Sequence, residues 1–312
     1  MSGAARQSTG VPGLDELLGG GLIPGTLTVI VGATGIGKTQ LGLQFANAGA
    51  ADGGRRGIVL DCSSRGDSQS HAEYARRMFG WTLAAADAGQ PVDLEQVFAE
   101  KALRGVPGSP VGRNATEGVP YSADYLHIFD YHGRRVTRRD LEWDEWRNWQ
   151  AELNARLQAA IAFFYGNFIR GVRRVVIDGI EPVDRPGDSI QFSLFEYVYH
   201  QILRKDAEWV ARDLFREAYR RHAEEAARHT YDPAHIGCLL LVTSHETMLD
   251  ELIRRPLAEG DVLANANTLI LLGKVRDGNR FGRGLYIAKH RGSSCEERIV
   301  EYRIDDGGLR IA

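Results

Sequence analysis

Cysteine is scarce, charge of one sign does not accumulate, and no long apolar run occurs in this chain. The three cysteines, Cys62, Cys238 and Cys295, are scattered through 312 residues. Their odd number and wide spacing exclude a disulfide framework and a zinc-ligand pattern, and predict reduced thiols. No stretch approaches the roughly 18 uninterrupted apolar residues that a membrane span requires. The segment Met1–Thr9 lacks the apolar core of a secretory signal. A cytoplasmic location without membrane contact is the expectation. A net charge of −3 supplies no global field that would draw the chain to DNA or to an anionic bilayer. No internal repeat is found, so the chain reads as one unit and not a tandem pair. The remaining composition, 43% hydrophobic and 25% charged, suits one large α/β domain or one domain with insertions.

Against that ordinary background one segment carries chemistry. Residues Gly32-Ala33-Thr34-Gly35-Ile36-Gly37-Lys38-Thr39 form a complete P-loop. Glycines let successive backbone N–H groups turn toward one anion, Lys38 places a cation on the β/γ-phosphates, and the Thr39 hydroxyl can ligate Mg²⁺. The short β-branched run Leu27–Val31 precedes the loop. Gln40 opens a stretch with helical apolar spacing at Leu41, Phe45 and Ala48. A helix N-terminus at this point favours negative charge. The expected ligands are a nucleoside triphosphate, ATP, and Mg²⁺, with Gly32 through Gln40 as the contacting segment.

Short apolar runs recur at Leu27–Val31, Gly57–Asp61, Tyr125–Asp130, Arg174–Asp178 and Cys238–Ser244. Helical patterns separate them at Thr39–Ala50, Gln69–Met78, Leu141–Ile169, Ile190–Ala227 and Thr247–Arg254. Such alternation predicts a mostly parallel sheet flanked by helices, with phosphates at the carboxyl ends of the strands. Thr268–Val275 and Gly284–His290 predict a hairpin across the turn-rich segment 276–283, and Ile299–Ile304 with Leu309–Ile311 predict another. Two regions read as insertions, at about 90–122, rich in Gly and Pro, and at 140–168, a long helix. In that helix Trp143, Trp146, Trp149, Leu153, Leu157 and Ile161 recur at three- and four-residue spacing. The stripe either docks a partner or stacks bases, or packs on the body of the domain.

The P-loop flanks are more specific than the P-loop. The run from Ser8 to Leu22, Ser-Thr-Gly-Val-Pro-Gly-Leu-Asp-Glu-Leu-Leu-Gly-Gly-Gly-Leu, resembles the leading segment of the KaiC-like ATPases, a branch of the RecA superfamily. The likeness continues through Ala75–Trp81, Arg174–Asp178, Leu269–Leu272, Lys289-His290-Arg291-Gly292-Ser293 and Tyr302–Leu309. The resemblance implies a RecA-like core over residues 1–312 and homo-oligomeric assembly, commonly hexameric, with ATP between subunits. It implies that Asp178 is the Walker B carboxylate that holds Mg²⁺ together with Thr39. An ordinary strand-end Asp is the other reading of that residue. The resemblance further implies that Lys289 and Arg291 reach the γ-phosphate bound by a neighbouring subunit, and that Asp306 approaches the adenine. The other reading of the cation pair is a solvated hairpin edge.

Two positions depart from the family. The adjacent glutamates expected after the second strand, which orient the attacking water, are Cys62 and Ser63 here. Asp61, one residue early and on the same strand face as Ser63, is the candidate partial substitute. Clock-type relatives carry a Ser-Thr pair where this chain has Leu263 and Ala264, so autokinase activity is not expected. Ser244 or His245 is a candidate γ-phosphate sensor, and isolated histidines elsewhere read as structural. The expectation is a slow ATP hydrolase acting as a conformational switch for an unnamed protein partner. The competing readings are a RecA-like DNA-repair ATPase, with Lys274, Arg276, Arg280 and Arg283 as the basic hairpin, and an ATP-binding scaffold without turnover.

Overall fold

The computed structural model describes residues 5–63, 69–87, 93–98, 125–128, 142–181, 189–255 and 262–312. The ten strands among the described residues are β1 (Leu27–Gly32), β2 (Ile58–Asp61), β3 (Ala84–Asp87), β4 (Tyr125–Ile128), β5 (Arg174–Ile180), β6 (Gly237–Thr243), β7 (Thr268–Asp277), β8 (Arg280–His290), β9 (Val300–Asp305) and β10 (Gly308–Ile311). They form one sheet in the order β10-β9-β8-β7-β1-β6-β5-β2-β4-β3. From β7 to β3 every pairing is parallel, while β8, β9 and β10 are added antiparallel. This is the RecA-like arrangement expected from the sequence, with C-terminal hairpins extending one edge.

Every residue of β1 is buried, as in a strand covered on both faces. Side chains alternate along it. Leu27, Val29 and Val31 join one core with Phe163, Phe164 and Phe168, while Ile30 joins a second with Leu41 and Phe45. Helices α1 (Leu14–Leu17), α2 (Lys38–Gly53) and α3 (Gln69–Phe79) contribute to the second core. Helices α4 (Trp143–Phe168), α5 (Ile190–Tyr197) and α6 (Ala207–Phe215) contribute to the first. The C-terminal half of α4 is buried almost all round, which places it inside the domain. Its first residue, Trp143, is 70% exposed. The side chains of Trp146, Trp149 and Leu153 lie outside the described residues, as does most of segment 90–122.

Three features differ from expectation. The helix anticipated over Ile190–Ala227 is broken into α5, a π-helical segment at Val198–Leu203, α6, and α7 (Tyr219–Arg228). Asp206 starts α6 by accepting from the Trp209 amide at 2.8 Å, and Arg216, at φ 47°, interrupts the chain before α7. Apolar periodicity does not register an N-cap within a continuous amphipathic run. The segment 276–283 is not a long turn. β7 and β8 continue through it to a two-residue Gly278-Asn279 turn, leaving an exposed ribbon tip. β3 was not expected, because its alanines have little strand propensity.

The leading segment is fastened by Asp15. Its carboxylate accepts from the Ser8 hydroxyl at 2.6 Å, the Thr9 amide at 2.7 Å and the Thr9 hydroxyl at 2.6 Å. Its carbonyl accepts from the amides of Gly20 and Gly21 at 2.7 and 3.1 Å. The Arg174 guanidinium of β5 then reaches the carbonyls of Ser8 and Phe45 and pairs with Asp52, which ties this segment to α2 and the sheet. Asp15→Ala is expected to cost roughly 1.5–3 kcal/mol, the range for hydrogen bonds to charged groups. The check is a lower urea midpoint at unchanged m-value.

Candidate functional site

The P-loop connects the carboxyl end of β1 to the amino end of α2. Gly37, the residue before α2, has φ 109°, and a Cβ there would lie 2.7 Å from Ile304 Cδ1. The positive φ requires glycine, and a side chain there would also displace the Ile304 methyl group. Lys38 is buried, and its ammonium donates to the carbonyls of Gly32 at 2.8 Å and Ala33 at 2.9 Å. Burial lowers its pKa to about 8, with the Asp178 charge opposing the shift.

Thr34, Gly35, Gly37, Lys38, Thr39 and Gln40 line a cavity of about 540 Å³. Gly32 and Ala33 act here through their carbonyls, and Ile36 packs into the second core. The opposite wall comes from the ends of β2, β5 and β6 and from α3: Asp61, Ser63, Asp178, Gly179, Thr243, His71, Glu73 and Tyr74. Thr243 takes the cavity position anticipated for Ser244 or His245. The Ser244 hydroxyl instead turns to Glu246, and His245 is exposed and lies off the cavity lining.

The centre of the wall is Asp178. Its Oδ2 accepts from the Thr39 hydroxyl at 2.7 Å and lies 3.0 Å from His71 Nε2, while Oδ1 accepts from the Gly179 amide at 2.7 Å. Gly179 has φ 88°, and a Cβ there would come within 2.3 Å of the Ser63 nitrogen, so the strand end must pass as glycine. Burial pushes the Asp178 carboxyl up, but the His71 bond and charge, the Thr39 bond and the Gly179 amide outweigh it. The net result lies below the ordinary carboxylate value.

Parallel register sets Asp61 of β2 directly opposite Asp178 of β5. Asp61 is fully buried. Its Oδ1 accepts from the Ser63 amide at 2.9 Å, and its Oδ2 faces His71 Nδ1 at 3.8 Å. Burial raises its pKa against the His71 charge and the Ser63 bonds. Cys62 points into the first core, and burial with the charges of Asp61 and Asp178 pushes its thiol well up. His71, only 5% exposed, therefore sits between two carboxylates. It is one of the isolated histidines read as structural, and the structure adds its two carboxylate partners. Its role follows from the placement of α3 above the ends of β2 and β5, which no local spacing signals.

Lys289 and Arg291 do not line this cavity. Lys289, at the end of β8, donates to the Ala264 carbonyl at 2.7 Å. Arg291 follows the strand and is exposed. Burial and then the Arg291 charge lower the Lys289 pKa, so the two cations are neighbours. Asp306 is exposed on the turn between β9 and β10. That hairpin is held to the P-loop by the Tyr302 hydroxyl, which donates to the Ile36 carbonyl at 2.7 Å. Gln44 of α2 exchanges two 2.8 Å hydrogen bonds with the backbone of Leu309.

With this geometry in place, residues 7–105 match the family model described as "ATPase: KaiC". The chain is 32% identical over 94 residues to circadian clock protein KaiC2 of Synechocystis sp., covering 30% of this chain and 16% of that protein. It is 42% identical over 89 residues to the DNA repair protein RadA of Mycolicibacterium smegmatis, covering 28% of this chain and 19% of that one. It is 38% identical over 82 residues to the circadian clock oscillator protein KaiC of Rippkaea orientalis, covering 26% and 15%. The matched segment is thus less than a fifth of each of these relatives. Over residues 7–105 the chain is therefore similar to the KaiC ATPases and to RadA. Asp178, Lys289, Arg291 and Asp306 lie beyond the matched residues.

A phosphate ligand favours charged Lys38, whose pKa without ligand is about 8. Nucleotide affinity is therefore expected to be level below pH 8 and to fall above it, by up to about tenfold per pH unit. Calorimetry in two buffers of different ionisation enthalpy should find about one proton taken up per nucleotide at pH 9 and little at pH 7. Lys38→Arg should abolish the uptake.

Proposed function

We propose that this KaiC-like chain binds ATP with Mg²⁺ at Gly32–Gln40 and hydrolyses it slowly, as a homo-oligomeric conformational switch acting on a protein partner. The observation that carries the reading is the meeting of Thr39 and Asp178 at 2.7 Å beside Lys38 on one cavity wall. The loop amides and the start of α2 would receive the phosphates, and Lys38 would exchange the carbonyls of Gly32 and Ala33 for phosphate oxygens. Thr39 and Asp178 form a hard-oxygen pair of the kind Mg²⁺ takes, and would hold it. Among the described residues no group of three or more His, Cys, Asp or Glu side chains could hold a metal ion by itself. Bound Mg²⁺ neutralises charge developing on the phosphate oxygens.

Lys289 and Arg291, away from the chain's own cavity, are proposed to serve the site of the next subunit, with a hexamer favoured. Asp306 is proposed to approach the adenine from the β9–β10 turn. The whole chain is read as one domain carrying two insertions, in the cytoplasm. No helix among the described residues is long and apolar enough to cross a membrane. Turnover is proposed to be slow because Cys62 and Ser63 are not carboxylates and Asp61 is buried against Ser63 and His71. A general base contributes about 10²–10⁴-fold, so the lack of one fixed at the end of β2 slows hydrolysis without abolishing it.

A second reading is favoured by the exposed β7–β8 tip, where Lys274, Arg276, Arg280 and Arg283 surround Phe281, itself 62% exposed. Cations around an aromatic suit single-stranded nucleic acid. Salt-dependent DNA binding that weakens on charge reversal of the three arginines would favour it, and no binding at low salt would dismiss it.

Lys38→Ala should remove ATP binding, and unchanged affinity would sink the assignment of the site. Arg291→Ala should lower turnover by roughly 10³-fold or more, the low end of the range for cations supplied in trans, while sparing ATP affinity. Full turnover in that variant would contradict a shared site.

A further inference from the structure

The end of β2 offers the cavity no exposed carboxylate, while α3 places one in its lining. Three residues at the end of β2 can be set aside on geometry. Cys62 is buried in the first core, Ser63 carries no carboxylate, and both Asp61 oxygens are fully enclosed, one of them bonded to the Ser63 amide. Glu73 differs from all three. It is exposed and lines the same cavity as Thr34, Lys38 and Thr39. Its helix is also fixed where fixing matters. Two residues earlier His71 is bonded to Asp178, and two residues later Ala75 is fully buried in the second core.

We propose that Glu73, in the lining of the phosphate cavity on the helix that the His71–Asp178 contact pins there, is the carboxylate that orients the attacking water. The proposal rests on the hydrolysis proposed above. The water oxygen forms a bond to the γ-phosphorus as the bond from that phosphorus to the β–γ bridging oxygen breaks. ADP leaves with the bridging electron pair, phosphate is the other product, and the water proton passes to the Glu73 carboxylate and from there to solvent. Glu73 acts on the water, while His71 is a positioning residue that fixes the start of α3.

The experiment compares the full-length chain with Glu73→Gln and Glu73→Asp under Mg²⁺ and ATP. It measures kcat, ATP affinity, and trapping of ADP with aluminium fluoride, a mimic of the γ-phosphoryl transition state. Glu73→Gln should lower kcat about 100-fold or more, leave the ATP Kd within about twofold, and lose ADP–aluminium fluoride trapping. Glu73→Asp should retain partial turnover. Wild-type kcat in Glu73→Gln overturns the proposal and leaves the hydrolysis reading standing, and so does loss of ATP affinity in that variant with the fold intact by circular dichroism. A wild-type chain that binds ATP without cleaving it overturns the hydrolysis reading, and Glu73's role with it.

Discussion

The Asp178 carboxylate is the group on which the phosphate side of this molecule depends. It is buried, so it stands as an anion only because Thr39, His71 and the Gly179 amide all meet it. Each contact ties a different element to β5. Thr39 brings the start of α2, His71 brings the start of α3, and Gly179 bends the strand end close to Ser63. A charge placed there attracts the ammonium of Lys38 across the cavity and favours a divalent cation beside Thr39. Loss of any one donor would leave the others holding a less well compensated buried charge, which costs more than a single ordinary hydrogen bond.

The C-terminal half supports the same loop from the other side. Tyr302 holds the Ile36 carbonyl, Ile304 fills the space over Gly37, and Gln44 is paired with Leu309. The P-loop is thus clamped between a carboxylate wall and a β-hairpin. Any change in loop conformation on ligand binding would be passed to β9 and β10, at the edge of the sheet opposite β3 and β4. The proposed nucleotide-dependent assembly needs such a connection between the phosphate site and an outer edge.

The sequence made the frame readable because its strands are short apolar runs bounded by polar residues and its P-loop is a local motif. The parallel sheet, the place of Lys38 and Thr39, and the strand-end position of Asp178 follow from spacing alone. What spacing does not carry is registry between distant strands. That Asp61 faces Asp178 is a property of the β2–β5 pairing, and that His71 lies between them is a property of where α3 lands. The same limit explains β3, whose alanines join the sheet by pairing with β4 and not by propensity. The break at Asp206 was local but masked by apolar periodicity on both sides. The loss of the glutamate pair was visible as Cys62 and Ser63. The presence of Glu73 on the same cavity was not, because only the fold gives its direction.

The proposed function requires an ATP site completed by assembly, with Gly32–Gln40 and Asp178 from one subunit and Lys289 and Arg291 from the next. The most direct measurement is ATP turnover recorded together with particle mass across a dilution series, with ATP, with ADP and without nucleotide. The account predicts that turnover per chain falls in step with the assembled fraction. Undiminished turnover by isolated monomers would contradict it.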